Sequence, residues 1–334
     1  MHLHKLRILL LITAFISGFS GYSQYTEVIN SNRPGQSQGA FSVGNGILQV
    51  ESGVFLGNDE HNLLNTDTDI FGVDLNVRYG FWREAFEINA IAQFQNNTTT
   101  FTTGSNGGFE ASDFSRLTIG AKYLFFDPYK IVEEEKPNLY SYHAQFKFKW
   151  SSLIPAISTF LGVNYRGENN NITPPQLEGI SPILLVATQN NWGRWVWVNN
   201  FIVEDFTTDF PTQTWISTMT HSFSEKWAAF GEFQLINGDL NTDQIFRIGG
   251  ALLFTKDLQI DISGLINFKD TPSRNQVALG LSYRFDFHKL DEIIEEKGGD
   301  KKRNKDDDST KKKKKKKKKR KDTLDFEDDG TINP

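Results

Sequence analysis

The stretch 275–287, NQVALGLSYRFDF, decides the fold of this chain. After Asn275 its odd-numbered positions are apolar or aromatic, whereas its even-numbered positions carry small or polar side chains. Side chains alternate between the two faces of a β-strand, so this pattern predicts a strand with one apolar and one polar face. A soluble sheet with one buried face has the same pattern. Aromatic residues at one end, here Tyr283, Phe285 and Phe287, favour a transmembrane β-barrel, in which aromatic girdles flank a lipid-facing stripe.

The beginning of the chain has the pattern of a secretory signal peptide, which we place at 1–24. Lys5 and Arg7 precede an apolar run at 8–19, and small residues follow it. That run is too short for a comfortable membrane span, and the sequence contains no run of 18 apolar residues elsewhere. We therefore expect the mature chain to be soluble or to cross a membrane as a closed barrel.

The same alternation recurs along the chain and predicts twelve strands. They lie near 48–56, 71–79, 86–95, 116–125, 154–166, 180–190, 194–206, 213–223, 227–235, 244–254, 258–268 and 275–287. The sixth, seventh and eighth strands are ambiguous as to which face is apolar. Longer links such as 57–68 and 98–112 alternate with tight turns, as in bacterial barrels, and only the long link 127–152 departs from this order. The predicted fold is all-β, an antiparallel transmembrane β-barrel of twelve strands over 46–287, with a periplasmic segment at 25–45 before it.

The polar faces of these strands predict a lumen whose wall carries charges of both signs. This set of lumen-lining candidates consists of Glu51, Asp74, Arg78, Glu87, Arg116, Lys122, Glu232, Arg247, Asp261, Arg284 and Asp286. Such residues either form a path for a solute or simply fill the interior of a small barrel as polar pairs. As a set they predict an interior that is polar and hydrated, or polar and plugged.

Residues suited to catalysis or metal binding are scarce in this chain. It has no cysteine, and the histidines that survive signal cleavage (His61, His143, His221 and His288) lie far apart, without the spacing of metal ligands. His221 and Ser222 are adjacent on one strand, so their side chains point to opposite faces and do not form a nucleophile–base pair. We therefore expect no enzyme activity, no catalytic residue, no metal and no cofactor.

The region after the signal peptide resembles a known family. Asn32-Arg33-Pro34-Gly35, the later Val43-Gly44 and Glu51-Ser52-Gly53 are similar to the start of the outer-membrane transporter proteins grouped under the MetA phenol-degradation pathway, many of them from Bacteroidetes-like bacteria. That family usually has Thr-Asp where this chain has Ser31-Asn32. The resemblance runs to Leu281-Ser282-Tyr283-Arg284-Phe285 and excludes the tail. It implies an outer-membrane barrel with a transport function, and it supplies no catalytic residues.

The last part of the chain, 288–334, differs sharply in charge from the rest. It holds 17 Lys/Arg and 13 Asp/Glu, whereas 25–287 holds 17 basic and 28 acidic residues. With almost no apolar residues after Gly298, we expect a disordered tail in the periplasm. Its eleven consecutive cations at 311–321 are candidates for binding an anionic surface, with Lys311, Lys315, Lys319, Arg320 and Lys321 as representatives. An inert low-complexity spacer is the equally weighted alternative.

Two functions are compatible with this sequence, and both place the protein in the outer membrane. The first is a porin-like channel or transporter for small solutes. The second is a structural or assembly barrel that anchors the basic tail to the cell wall or to an envelope complex. An open polar lumen favours the channel, and a plugged lumen with an extended tail favours the anchor. Expected partners are outer-membrane lipid, the barrel-assembly machinery through the aromatic C-terminal strand, and an anionic wall polymer or acidic periplasmic protein; nucleic acid is not expected.

Overall fold

The structure is a computed structural model that describes residues 28–103, 107–130 and 150–287. The predicted signal peptide, the centre of the 127–152 link with His143, and the tail with His288 lie outside the described residues. No helix within the described ranges has the length and apolar character needed to span a membrane.

The described chain forms a closed antiparallel β-barrel of twelve strands, which confirms the predicted fold class. Each strand pairs with its neighbours in sequence, and β1 closes the barrel by pairing with β12. The strands are β1 (Ile47–His61), β2 (Thr66–Gly80), β3 (Phe86–Phe101), β4 (Gly108–Phe126), β5 (Ala156–Arg166), β6 (Gly179–Trp192), β7 (Trp195–Glu204), β8 (Thr212–Ser222), β9 (Trp227–Gly238), β10 (Asp243–Thr255), β11 (Leu258–Asn267) and β12 (Ser273–Asp286). Short 3₁₀ turns occur at Pro128–Lys130, Trp150–Leu153 and Pro175–Leu177.

The period-two pattern of the sequence becomes the inside and the outside of the barrel. On β12 the apolar positions from Val277 to Tyr283 are 40–57% exposed, whereas the alternate residues Ser282 and Arg284 are 0% and 3% exposed. Large apolar side chains on the outer face of a closed barrel match a lipid surface, because in water such a surface would be unfavourable.

Several strands on the long-link side extend further than the sequence predicted. β1 reaches His61 and β2 begins at Thr66, so the expected link 57–68 is mostly strand. In the same way Thr98 pairs with Glu110 and Thr99 pairs with Phe109 inside the expected link 98–112. The part of a strand that lies outside the bilayer needs no apolar outer face. The strands therefore continue as hydrogen-bonded ladders beyond the residues that show hydrophobic alternation.

One side of the interior is apolar, which the sequence did not predict. Phe160, Ile183, Leu185, Ala187, Ile202 and Ile216 form a buried cluster on β5–β8. These strands include the three whose faces were ambiguous, and the reason is now clear: both of their faces carry apolar residues. The opposite wall, on β1–β4 and β9–β12, carries most of the charged residues.

Candidate functional site

The described residues before β1 enter the barrel and occupy part of its interior. Residues 28–46, here called the plug segment, contact inward-facing side chains of β1–β4, β6–β9, β11 and β12. The sequence predicts a periplasmic entry segment at 25–45 that leads into the barrel. The part of it that the structure describes lies instead within the barrel, because its backbone and side chains complete the hydrogen bonding of the wall.

A four-residue ionic cluster on β1–β4 holds the end of the plug segment that leads into β1. Glu87 accepts hydrogen bonds from Arg78 at 3.0 Å, from Lys122 at 2.9 Å and from the backbone N–H of Val43 at 2.9 Å. Arg78 also contacts Glu51 at 3.4 Å and donates to the carbonyl of Asn30 at 2.9 Å. All four side chains are almost fully buried. Buried charges are tolerated only when they are paired and hydrogen-bonded, and this cluster meets that condition.

Amide side chains of the wall bind the backbone of the plug segment in the manner of strand pairing. Asn200 on β7 accepts from the N–H of Gln38 at 2.5 Å and donates to its carbonyl at 2.8 Å. Gln189 on β6 accepts from the N–H of Ala40 at 3.0 Å. These contacts satisfy backbone groups that lie away from water, which would otherwise be costly to bury.

Glu232 on β9 binds the middle of the plug segment. Its carboxylate accepts from the backbone N–H groups of Gln36 at 3.0 Å and Ser37 at 3.2 Å. Thr218 donates to the same carboxylate at 2.8 Å, and Arg247 approaches it at 2.9 Å. Two predicted lumen residues, Glu232 and Arg247, therefore lie together, and Glu232 anchors the backbone of the segment.

The Arg33 side chain of the plug segment lies between two predicted lumen residues. Its guanidinium binds Asp74 on β2 and donates from Nε to Asp261 on β11 at 3.3 Å. Between these two strands lie β1 and β12, where Gly53 and Gly280 face each other in register. A Cβ atom on either glycine would overlap the guanidinium, so the missing side chains make room for it.

Within the described part of the barrel, cavities lie on both sides of the plug segment. A cavity of about 460 Å³ on the short-turn side is lined by Ser31, Gln189, Ser222, Phe230 and Gln259, among others. A cavity of about 130 Å³ on the long-link side is lined by Glu51, Asp74, Arg116 and Glu204, among others. Asn32, Arg33 and Gly35 border both cavities. The plug segment is thus the barrier between them.

Three predicted lumen residues remain. Arg116 pairs with Glu204 at 3.1 Å beside the smaller cavity. Arg284 is buried on the short-turn side and contacts Asp257 at 2.8 Å. Asp286 is exposed at the end of β12, on the short-turn side of the barrel. The predicted tail residues Lys311, Lys315, Lys319, Arg320 and Lys321 lie outside the described residues.

The histidines that the structure describes are not gathered at a site. His61 accepts a hydrogen bond from the N–H of Leu64 in a long-link loop, and His221 lies on the outer face with its ring 4.1 Å from that of Trp195. Ser222 faces the larger cavity, on the opposite side of the strand from His221. Among the described residues no group of three or more His, Asp or Glu side chains is arranged to hold a metal ion.

Sequence reasoning missed the plug segment and the uncharged wall residues that bind it. Ser37, Gln38, Gln189, Asn200 and Thr218 carry no charge or motif that marks them. The signal that does exist is a pair of glycines, Gly53 and Gly280, at interior positions of strands whose neighbouring interior residues are larger. Interior glycines in a strand often mark close approach of another group, which here is Arg33.

Comparison with known proteins agrees with the fold. The outer membrane channel from Pseudomonas putida F1 has a TM-score of 0.50 and 9% sequence identity, covering 77% of this chain and 100% of that one. The transport unit of the autotransporter AIDA-I from Escherichia coli has a TM-score of 0.45 and 12% identity, covering 77% and 93%. The KdgM porin in complex with disordered oligogalacturonate has a TM-score of 0.40 and 9% identity, covering 71% and 99%. At 9% identity the likeness to the Pseudomonas putida F1 channel concerns only the fold, which is that of an outer-membrane β-barrel.

Comparison of sequences identifies the family of this chain more specifically than comparison of structures does. No curated protein matches the chain. A family model, however, matches residues 31–285, which include most of the plug segment and nearly the whole barrel. Because the match covers most of the chain, this protein belongs to the family described as "Putative MetA-pathway of phenol degradation".

Proposed function

We propose that this protein is an outer-membrane channel for small solutes, with the plug segment as the barrier in its lumen. The observation that carries this proposal is that cavities of about 460 Å³ and 130 Å³ are both bordered by Asn32, Arg33 and Gly35 of the plug segment. The family to which the chain belongs supports a role in the uptake of small molecules.

The chemistry of the plug segment supports a barrier that can be displaced. Its contacts with the wall are mainly hydrogen bonds and ion pairs, such as those of Gln38 with Asn200 and of Arg33 with Asp261. Water can replace these contacts in a hydrated lumen, so displacement costs less than the separation of an equally large apolar interface. A barrel that serves only as an anchor gains nothing from leaving its interior partly empty, because close packing stabilises protein interiors.

The same proposal assigns the orientation of the barrel in the outer membrane. In outer-membrane barrels the short turns face the periplasm and the longer loops face the outside. β12 ends beside the start of β1 on the short-turn side, so we place the plug entrance and the start of the tail in the periplasm. Binding of the tail to an anionic wall polymer or to an acidic periplasmic protein, and of the last strand to the assembly machinery, belongs to this proposal.

Liposome swelling tests passage directly. The wild-type barrel and a variant lacking 28–40 are reconstituted, and swelling is followed in sugars, amino acids and aromatic acids of increasing size. We expect slow, size-limited swelling with the wild type and faster swelling with the deletion variant. Swelling no faster than that of protein-free liposomes for both folded proteins contradicts a channel and favours an anchor.

A further inference from the structure

The site around Arg33 has the chemistry of a receptor for a cation. Asp74, Gly53, Gly280 and Asp261 form one row across β2, β1, β12 and β11, because each is the register partner of the next. Two carboxylates thus flank a floor without side chains. A planar guanidinium fits between the two carboxylates, and the guanidinium of Arg33 occupies this position.

The positive charge at this site comes from the plug segment and not from the wall. Glu51 adds a further negative charge near Asp74 and Asp261, and it is paired in turn with Arg78 of the wall at 3.4 Å. When Arg33 leaves with the plug segment, the two carboxylates that contacted its guanidinium remain without that cation. Two negative charges near each other repel, so the emptied site attracts a replacement cation.

One atom of the site is not used even while Arg33 is in place. Oδ1 of Asp261 is buried and has no hydrogen-bond partner among the described residues, although the side chain is fully covered. Arg33 reaches Asp261 only through Nε, at 3.3 Å. A free guanidinium has no tether to a backbone and can turn to present two parallel N–H groups to this carboxylate, which is the stronger geometry.

The site is also reachable by a solute. Arg33 borders the cavities on both sides of the plug segment, and Asp74 lines the smaller one. We propose that the Asp74–Gly53–Gly280–Asp261 row is a binding site for solutes that carry a guanidinium group, and that Arg33 is its built-in occupant. Such solutes compete with Arg33, and their binding favours release of the plug segment. Binding at this site does not depend on the proposed function, whereas its consequence for passage does.

Calorimetric titration of the purified full-length protein in detergent tests the site, with methylguanidinium chloride as the probe at constant ionic strength. We expect saturable binding of one methylguanidinium to Arg33→Ala, weaker binding to the wild type, in which Arg33 competes for the site, and binding at least about tenfold weaker than to Arg33→Ala when Asp74→Asn and Asp261→Asn are added to that variant. Methylurea, which is neutral and similar in shape, is expected not to bind any of them. A folded barrel is recognised by its heat-dependent mobility in gels, and Arg33→Gln replaces Arg33→Ala if the alanine variant does not fold.

The outcomes are distinct from those of the swelling experiment. Absence of saturable binding to the folded Arg33 variant overturns the proposal, as does equal binding to the variant without the two aspartates. Either result leaves swelling by sugars unaffected. Conversely, a barrel that binds methylguanidinium but allows no swelling keeps the site and contradicts the channel.

Discussion

Glu87 is the residue on which the polar wall depends most. It is fully buried and joins Arg78, Lys122 and the backbone of the plug segment. Glu87→Gln leaves both cations buried with one negative charge fewer, and breaking a buried pair in this way costs about 3–5 kcal/mol. We expect a loss of that size in the free energy of unfolding, measured by urea titration of the barrel in lipid vesicles.

A matched control for Glu87 lies on the same interior surface. Glu204 pairs with Arg116, but the two side chains remain 21% and 33% exposed. Solvent screens such a pair, so Glu204→Gln should cost only about 0–1 kcal/mol. Equal small losses for the two variants would mean that water surrounds the Glu87 cluster and that its charges are not desolvated.

Asn200 permits a test of how the plug segment is held. Asn200→Ala removes both hydrogen bonds to the backbone of Gln38 and leaves these groups without a side-chain partner. We expect faster amide hydrogen exchange at Gln38 and its neighbours, because local opening becomes easier by roughly 1–3 kcal/mol. Asn164→Ala is the control, since Asn164 is an interior amide that accepts from Thr118. Unchanged exchange at Gln38 in the Asn200 variant would show that the remaining contacts hold the segment alone.

At the scale of elements, β12 tests which side of the wall faces lipid. Its centre is Leu279, which is 53% exposed on the outer face. A positive charge at the bilayer midplane costs about 2–4 kcal/mol, so Leu279→Arg should reduce the free energy of folding into lipid by that amount. Gln276→Arg, on the inner face, should have a much smaller effect. If both variants fold equally well into vesicles, the assignment of the two faces is wrong.

Two inward positions of β12 that are equivalent in the sequence pattern differ in their contacts with the plug segment. By alternation alone, Ser282 and Gln276 are equivalent inward positions of β12. In the structure Ser282 is fully buried and its hydroxyl lies 2.7 Å from that of Ser31 in the plug segment. An arginine at Ser282 would therefore displace the segment, although the strand pattern predicts a tolerant site.

At the scale of the whole molecule, the sequence predicted the wall well and its contents poorly. Alternation is a local property, and it located all twelve strands, including the inward side chains of Glu87 and Lys122. The plug segment depends on contacts between distant residues, such as Arg33 with Asp261, for which period-two patterning carries no information. The apolar patch on β5–β8 was missed for a related reason, since strands that are apolar on both faces do not reveal which face is inside.

Charge is unevenly distributed over the whole chain, and this leads to a prediction about the tail. Residues 25–287 are strongly acidic, whereas 311–321 carry eleven consecutive positive charges. Each cation near an anionic surface contributes about 1 kcal/mol, over a Debye length of about 8–10 Å. Acidic residues at 306–308 and at 325–329 compete for the same cations, so we expect binding that is weak and sensitive to salt.

Deletion of 289–334 separates the tail from the barrel in an experiment. The deletion keeps every strand and the aromatic end of β12, so the heat-modifiable folded form should persist at the wild-type level. Pull-down with cell-wall polymer at low and high salt should recover the full-length protein only at low salt and the truncated protein at neither. A matched full-length variant with five of the eleven cations changed to Gln tests charge without changing length, and it should bind less than the wild type. Equal recovery of all three proteins would make the tail an inert spacer, whatever the barrel conducts.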